Sequence, residues 1–406
     1  MKGGAGTAFK NLLELLEIQP EKVLVIHPFN ISWLTIKSFS LILFSRFLLL
    51  FSSKYYDGEK LSLGWFNCGV LNNTSHINKS VHLHWFQNET VSVKRLLKQK
   101  AKSIITLHDE WLYSSIEHYK TRKCYSKINS KSYSSDIIRK ILSKETNRQK
   151  LLFANKCNSK FIITVPTKWM YTRAKNSKIL RDFDIRIVPN AIDTDIFSPT
   201  REPIKYSRSL LNIEKEAIIF LSGAASGSSS FVKGFDLLDD AFNSIANQFS
   251  NLAGKKVVWI KFGTDASASS NDNTYFNTLN IGHIYNREHL AELYSLADFC
   301  IVPSRYESFG QVCAEAMSCS TPVIALKQSA AGEMVVESAG GIVIEAGDHV
   351  EDVHEKHVID ALIKACQLGE SKKIQMGKVS RKFVKNNFAN DIVKDLYLNI
   401  YTDLEG

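Results

Sequence analysis

Residues 300–325 read CIVPSRYESFGQVCAEAMSCSTPVIA, and few architectures accommodate that order. An apolar run ends at Pro303, a polar loop covers 304–308, and helix formers fill 311–318. Thr321 and Pro322 then precede a second apolar run. Short apolar runs on either side of one helix point to parallel strands, because a strand covered on both faces is apolar throughout. Strand, loop, helix and strand make a βαβ unit of an open α/β sheet, whose ligands collect beyond the carboxyl ends of the strands.

Glu307 lies in that loop, and Glu315 lies on the helix eight positions later. Helix-start amides around Phe309 and Gly310 favour an anion such as a phosphate by about 0.3–1 kcal/mol. Gly310 lets a ligand approach the backbone closely. A carboxylate one turn into the helix can accept hydrogen bonds from sugar hydroxyls, and the loop carboxylate can reach a second sugar. Either glutamate alone is more often a cap or a solvated surface residue. The pair, with a glycine between them and strands on both sides, favours a site.

The run ESFGQVCAE followed by AMSCSTPV resembles the E-x7-E signature of glycosyltransferase family 4, the retaining sugar-nucleotide transferases of GT-B fold. The resemblance implies that Glu315 holds the nucleotide ribose and that Glu307 lies against the donor sugar. Ser308, Phe309 and Gly310 would then meet the sugar or the diphosphate. Ser320 stands where relatives carry a glycine.

At 406 residues the chain is long enough for two domains, each with its own core. A net charge of +10 points to an anionic partner: membrane phospholipid, nucleic acid or a phosphorylated substrate. Nucleic acid is the weakest of the three, since no RNA-binding signature or zinc spacing accompanies the charge. The seven cysteines are scattered, without C-x-x-C, which fits a reducing cytoplasm with neither disulfides nor a metal site. The amino terminus has no apolar core of a signal peptide.

The chain opens MKGGAGTA, read as a close-approach loop that brings Gly3 and Gly4 to a phosphate, followed by a helix over 9–18. In the family a first strand precedes this loop, and here no residues are present to form it. Residues 22–27 read as a strand. Residues 38–51 read as a docking helix, with an interfacial membrane anchor as the second reading, and are too short to span a bilayer. Strands at 80–85 (SVHLHW) and 103–108 (SIITLH) flank a basic helix over 91–102. His84 and His108 lie at or beside their carboxyl ends, the strand termini where α/β folds place chemistry, although a single such histidine is more often a bonded core residue.

The pairs HLHW and TLHDEW, with His118-Tyr119 beyond, resemble a narrower subgroup that builds bacterial exopolysaccharide and O-antigen units, of colanic-acid type. By that resemblance His108 lies near donor sugar and acceptor, with Asp109 and His84 on the acceptor side. Residues 120–150 are rich in lysine and serine and read as a solvated loop and helix, with anionic headgroups as an equal alternative. Residues 187–199 (IVPNAIDTDIFSP) look like the interdomain hinge of the family. Asp193 and Asp195 suit a hard cation by spacing, but the surrounding turn residues favour the hinge. Lys233-Gly234 opens an amphipathic helix and resembles the family's K-G motif, in which Lys233 would neutralise the departing diphosphate. Ala224 and Ala225 stand where many relatives add an arginine.

The resulting expectation is α/β, GT-B: two Rossmann-like domains with parallel sheets facing a cleft, and a C-terminal helix that crosses back. Residues 1–195 form the acceptor domain, 196–385 the nucleotide-sugar domain and 386–406 the crossover helix. The implied reaction moves a hexose from a nucleotide-diphosphate sugar to a hydroxyl of a lipid-linked saccharide. His108 and Glu307 are catalytic, anomeric configuration is retained, and no metal or cofactor takes part. The expected location is cytoplasmic, against the inner face of the cell membrane. A non-catalytic nucleotide-sugar-binding subunit or truncated inactive transferase, an epimerase or hydrolase on the same fold, and a metal-dependent transferase using Asp193 and Asp195 are the alternatives.

Overall fold

The structure is a computed structural model and describes residues 4–18, 33–50, 61–66, 78–87, 90–120, 133–200, 202–223, 231–245, 256–263 and 275–405. The chain divides into two compact units: Leu13–Val188 with Leu396–Gly406, and Pro189–Asp395 with Met1–Leu12.

In the first unit, β1 (His82–His84), β2 (Ser103–Thr106), β3 (Phe161–Val165) and β4 (Asp184–Ile187) pair in chain order, all parallel. β2 and β3 are buried along their whole length. Helices α2 (Trp33–Leu50), α3 (Val93–Leu96), α4 (Tyr133–Cys157) and α5 (Lys168–Lys175) accompany them. α5 opens on a side-chain cap, with the Thr167 hydroxyl accepting from the Met170 amide at 3.2 Å. The helix expected over 91–102 shrinks to the four residues of α3. Beyond it, buried Gln99 donates to the Lys79 carbonyl at 2.7 Å and to the Ser103 hydroxyl at 3.1 Å. Those side-chain bonds tie the chain to the approach of β2 in place of another helical turn.

In the second unit, β5 (Ile218–Gly223), β6 (Val257–Phe262), β7 (Phe276–Gly282), β8 (Phe299–Val302), β9 (Val323–Leu326) and β10 (Gly341–Ile344) form a parallel sheet. Their order is β10-β9-β8-β5-β6-β7. The chain winds outward from β5 in one direction, returns, and continues from β8 in the other, which is the doubly wound Rossmann-like plan. Successive β8 residues feed opposite faces. Phe299 and Ile301 pack with Leu238 and Phe242 of α6 (Phe235–Ile245), whereas Cys300 and Val302 pack with Phe309 and Met317. Two covered faces explain the uninterrupted apolar run. Helices α7 (Arg287–Leu296), α8 (Gln311–Ser318), α9 (Ala330–Ser338), α10 (Glu355–Gln367), α11 (Glu370–Asn387) and α12 (Asn390–Glu405) complete the element order. α12 belongs to the second unit up to Asp395 and to the first from Leu396.

At the amino terminus α1 spans Gly4–Leu15, so Gly4 opens a helix where a loop was expected. Ala8 and Leu12, one turn apart, are its buried residues, and that spacing carries the helix back through the small residues before Phe9. Gly3, the expected strand at 22–27 and the segment 224–230 lie outside the described residues. Asp193 accepts from the Asp195 and Ile196 amides at 3.2 and 3.1 Å, holding the turn read as a hinge. Among the described residues, no helix is long and apolar enough to cross a membrane.

Candidate functional site

β5 and β8 are neighbours in the sheet, yet the chain leaves their carboxyl ends toward different parts of the fold. Such a switch point opens a crevice without any special side chain. Two segments converge there. After β5 comes a 3-10 turn, Phe231–Lys233, then Gly234 and α6. After β8 comes the loop 304–310 and then α8.

Gly234 has φ +69°, and a Cβ built on it would lie 2.0 Å from the Pro303 carbonyl oxygen. Only glycine lets the start of α6 press this closely against the end of β8. The Val232 carbonyl accepts the Arg305 and Tyr306 amides at 2.9 and 3.2 Å. The buried Arg305 guanidinium donates to the Phe231 carbonyl at 2.9 Å and grips Asp236 with two bonds of 2.7 Å each. Arg305 therefore locks the two segments together, a role the sequence reading missed. The basic residue two positions before Glu307 and the acid in the first turn of α6 were its only trace.

Held in this way, Lys233 Nζ lies 3.0 Å from Glu307 Oε1, with both side chains partly open to solvent. Gly310, at φ +98°, precedes α8 and gives it no side-chain cap. Ser308 is half-buried in the same loop. Phe309 turns its ring into the core, edge-on to Phe388 at 5.1 Å between centroids. What Phe309 can offer a ligand is therefore its backbone. Glu315 is buried one turn into α8, where Gln311 donates to its Oε1 at 2.9 Å and the Tyr294 hydroxyl to its Oε2 at 3.0 Å. Burial pushes its carboxyl up to about 7, with the Gln311 and Tyr294 bonds and Arg287 acting in the opposite direction. Each carboxylate oxygen has two lone pairs, so one on each remains after those bonds. That is the arrangement that accepts a vicinal diol.

In the other unit, three imidazoles stand in a row. His82 and His84 share one face of β1, with ring centroids 4.1 Å apart, and His84 Nδ1 lies 3.1 Å from His108 Nε2. His82 bonds Thr106 at 2.7 Å and Tyr401 at 2.8 Å. Burial holds all three well below the usual imidazole range, to about 3 for His82 and about 4 for His108. Near neutral pH they are uncharged, each with one donor and one acceptor nitrogen. Asp109 is turned inward and accepts from Gln87 at 3.1 Å, from the Trp111 amide at 2.9 Å and from His118 at 2.6 Å. His118 in turn bonds Ser62 at 2.9 Å. Behind this turn, the Lys150 ammonium is fully buried. It bonds the Trp111, Ser114 and Ser115 carbonyls and sits 3.9 Å from the Trp111 ring centroid. A lysine in a polar helical stretch gave no sign of that placement.

Comparison with known proteins adds to this geometry. Residues 218–362 match the family described as Glycosyl transferases group 1. That stretch holds Lys233, Gly234, Glu307, Gly310 and Glu315. A D-inositol 3-phosphate glycosyltransferase of Nocardiopsis dassonvillei is 25% identical over 186 residues, covering 43% of this chain and 42% of the relative. The chain thus spans about two fifths of the length of such curated relatives. Among solved structures, sucrose-phosphate synthase from Thermosynechococcus elongatus superposes with a TM-score of 0.53 at 18% identity. It covers 75% of this chain and 68% of its own. The Anabaena protein HepE in complex with UDP gives 0.53 at 15% identity, over 81% and 80% of the two chains. These likenesses establish the fold as the expected α/β class with two parallel sheets, shared with glycosyltransferases of known structure.

Proposed function

We propose that the protein is a retaining glycosyltransferase that moves a hexose from a nucleoside-diphosphate sugar to a hydroxyl of a lipid-linked saccharide in surface-polysaccharide assembly. The observation that carries the reading is the Lys233–Glu307 pair, 3.0 Å apart beside the uncapped start of α8, inside the stretch that matches the group 1 family. A UDP complex of HepE supports a uridine nucleotide in the donor. A lipopolysaccharide enzyme among the structural neighbours, WaaG, agrees with a surface saccharide as the product.

In this reading Glu315 accepts the two ribose hydroxyls. Lys233 and the amides of Phe309 and Gly310 take up charge developing on the departing diphosphate, the kind of electrostatic stabilisation that usually dominates catalysis. Glu307 lies against the sugar. The leaving phosphate oxygen accepts the proton of the attacking hydroxyl, so that no side chain need become a covalent nucleophile and no metal is required. His108, being neutral, acts by hydrogen-bonding a sugar hydroxyl and not as a cation. Asp109 orients His118 within the same loop, and so acts on the acceptor through its neighbours.

Donor consumption with a panel of nucleotide-sugars, UDP-glucose included, tests the proposal in the presence and absence of saccharide acceptors. Lys233→Ala and Glu307→Ala are expected to lower kcat/KM by roughly a hundredfold or more, with melting temperatures close to the parent's. Parent-like turnover by both variants refutes the site. Sugar release that needs no acceptor replaces transfer with hydrolysis or isomerisation.

A further inference from the structure

Away from both clusters, α2 and α4 present an unusual outer surface. The two helices cover one small core of Leu49, Leu61, Leu63, Ile116 and Leu142. On its other side α2 exposes Leu43, Phe44, Phe47 and Leu50, the last at 64%. It carries no acidic residue, and its apolar character runs nearly all the way round. A helix of that kind is expected to be buried on every side.

Steps of three and four residues along α4 bring Ile137, Ile141, Leu151 and Leu152 onto one exposed face. Lys140, Lys144 and Arg148 are interleaved with them on that same face and are exposed. Among the described residues of that face none is acidic; Glu145 borders it and is bonded to Arg148 at 2.7 Å. In sequence, Arg122, Lys123, Lys127 and Lys131 come just before α4.

We propose that this α2–α4 face docks on an anionic lipid bilayer, with the aliphatic and aromatic side chains entering the acyl boundary and the lysines meeting lipid phosphates. Apolar residues interleaved with cations are what an interfacial helix needs, since burial and electrostatic attraction add. A second copy of the chain fits less well. A two-fold interface would set Lys140 and Lys144 against the same residues of the partner, with no carboxylate on the face to answer them. The chain's charge of +10 acts in the same direction. The inference rests on surface chemistry alone and stands or falls independently of the transferase reading.

Flotation with phosphatidylcholine vesicles, with and without phosphatidylglycerol, reads the binding. The full chain is expected to float with anionic vesicles and to be released by salt. Lys140→Glu with Lys144→Glu should weaken that binding roughly tenfold or more. Ile137→Ser with Ile141→Ser should do the same, both pairs without a change in melting temperature, and Leu43→Ser with Phe47→Ser should weaken binding likewise. Failure to float with anionic vesicles at low salt overturns the proposal. So does binding that none of the three pairs alters, or an oligomer that the variants dissociate while vesicle binding persists.

Discussion

Glu315 is the residue whose surroundings most directly predict a measurable quantity. Its carboxyl is pushed up to about 7 by burial, from an ordinary 4.5. The folded chain therefore holds a proton there that the unfolded chain has lost. Ionising Glu315 removes stability as pH rises from about 4.5 to about 7. A ribose diol, by contrast, needs the ionised acceptor. Affinity for UDP-glucose should therefore fall as pH drops below about 7, by up to tenfold per unit. UDP-glucose is the suitable probe because its diphosphate has no group titrating in that range. Calorimetric titration at pH 6, 7 and 8 checks it, with Glu315→Gln expected to bind weakly and without the pH trend. A parent affinity flat across that range excludes Glu315 as the ribose acceptor.

At the scale of elements, the sequence was informative wherever apolar runs alternated with helix formers. β8, β9 and α6 fall where the patterns put them, and Leu237, Leu238, Ala241, Phe242 and Ile245 of α6 are all buried. Patterning failed where side chains override it. Gln99 ended α3 early, and buried neighbours drew α1 back through its glycines. The convergence of Lys233 and Glu307, 74 positions apart, was readable only as a motif, because the lock that makes it is Arg305 on Asp236 and Gly234 on Pro303. That lock is testable through Gly234→Ala. The added methyl meets the Pro303 oxygen and the backbone keeps φ +69°, so about 2 kcal/mol or more of stability should be lost. The expected readout is a lower melting temperature together with reduced turnover. An unchanged melting temperature means that α6 does not need to approach β8 so closely.

For the whole molecule, the last helix carries the remaining prediction. From Leu396 onward the chain belongs to the first unit, where Tyr397 and Tyr401 pack on His82 with ring centroids 5.5 and 5.8 Å away. Tyr401 bonds His82 at 2.8 Å, and Asp403 pairs with Arg186 at 2.5 Å. The Asp403 pair is half-exposed and contributes little. The tyrosines are the larger contribution, since removing them uncovers β1 and leaves His82 Nδ1 without this hydroxyl. Deleting residues 396–406 should therefore cost about 3 kcal/mol, which in a unit of this size lowers its melting temperature by about 10 °C. Lys233, Glu307 and Glu315 all lie in the other unit, so UDP-glucose affinity should remain within about threefold of the parent, roughly 0.7 kcal/mol. Transfer to an acceptor should be lost, because the His82–His84–His108 row loses its support. Calorimetry of unfolding with a binding isotherm on the same sample separates these effects. Loss of donor affinity in step with stability would refute the placing of the sugar-nucleotide on Lys233, Glu307 and Glu315.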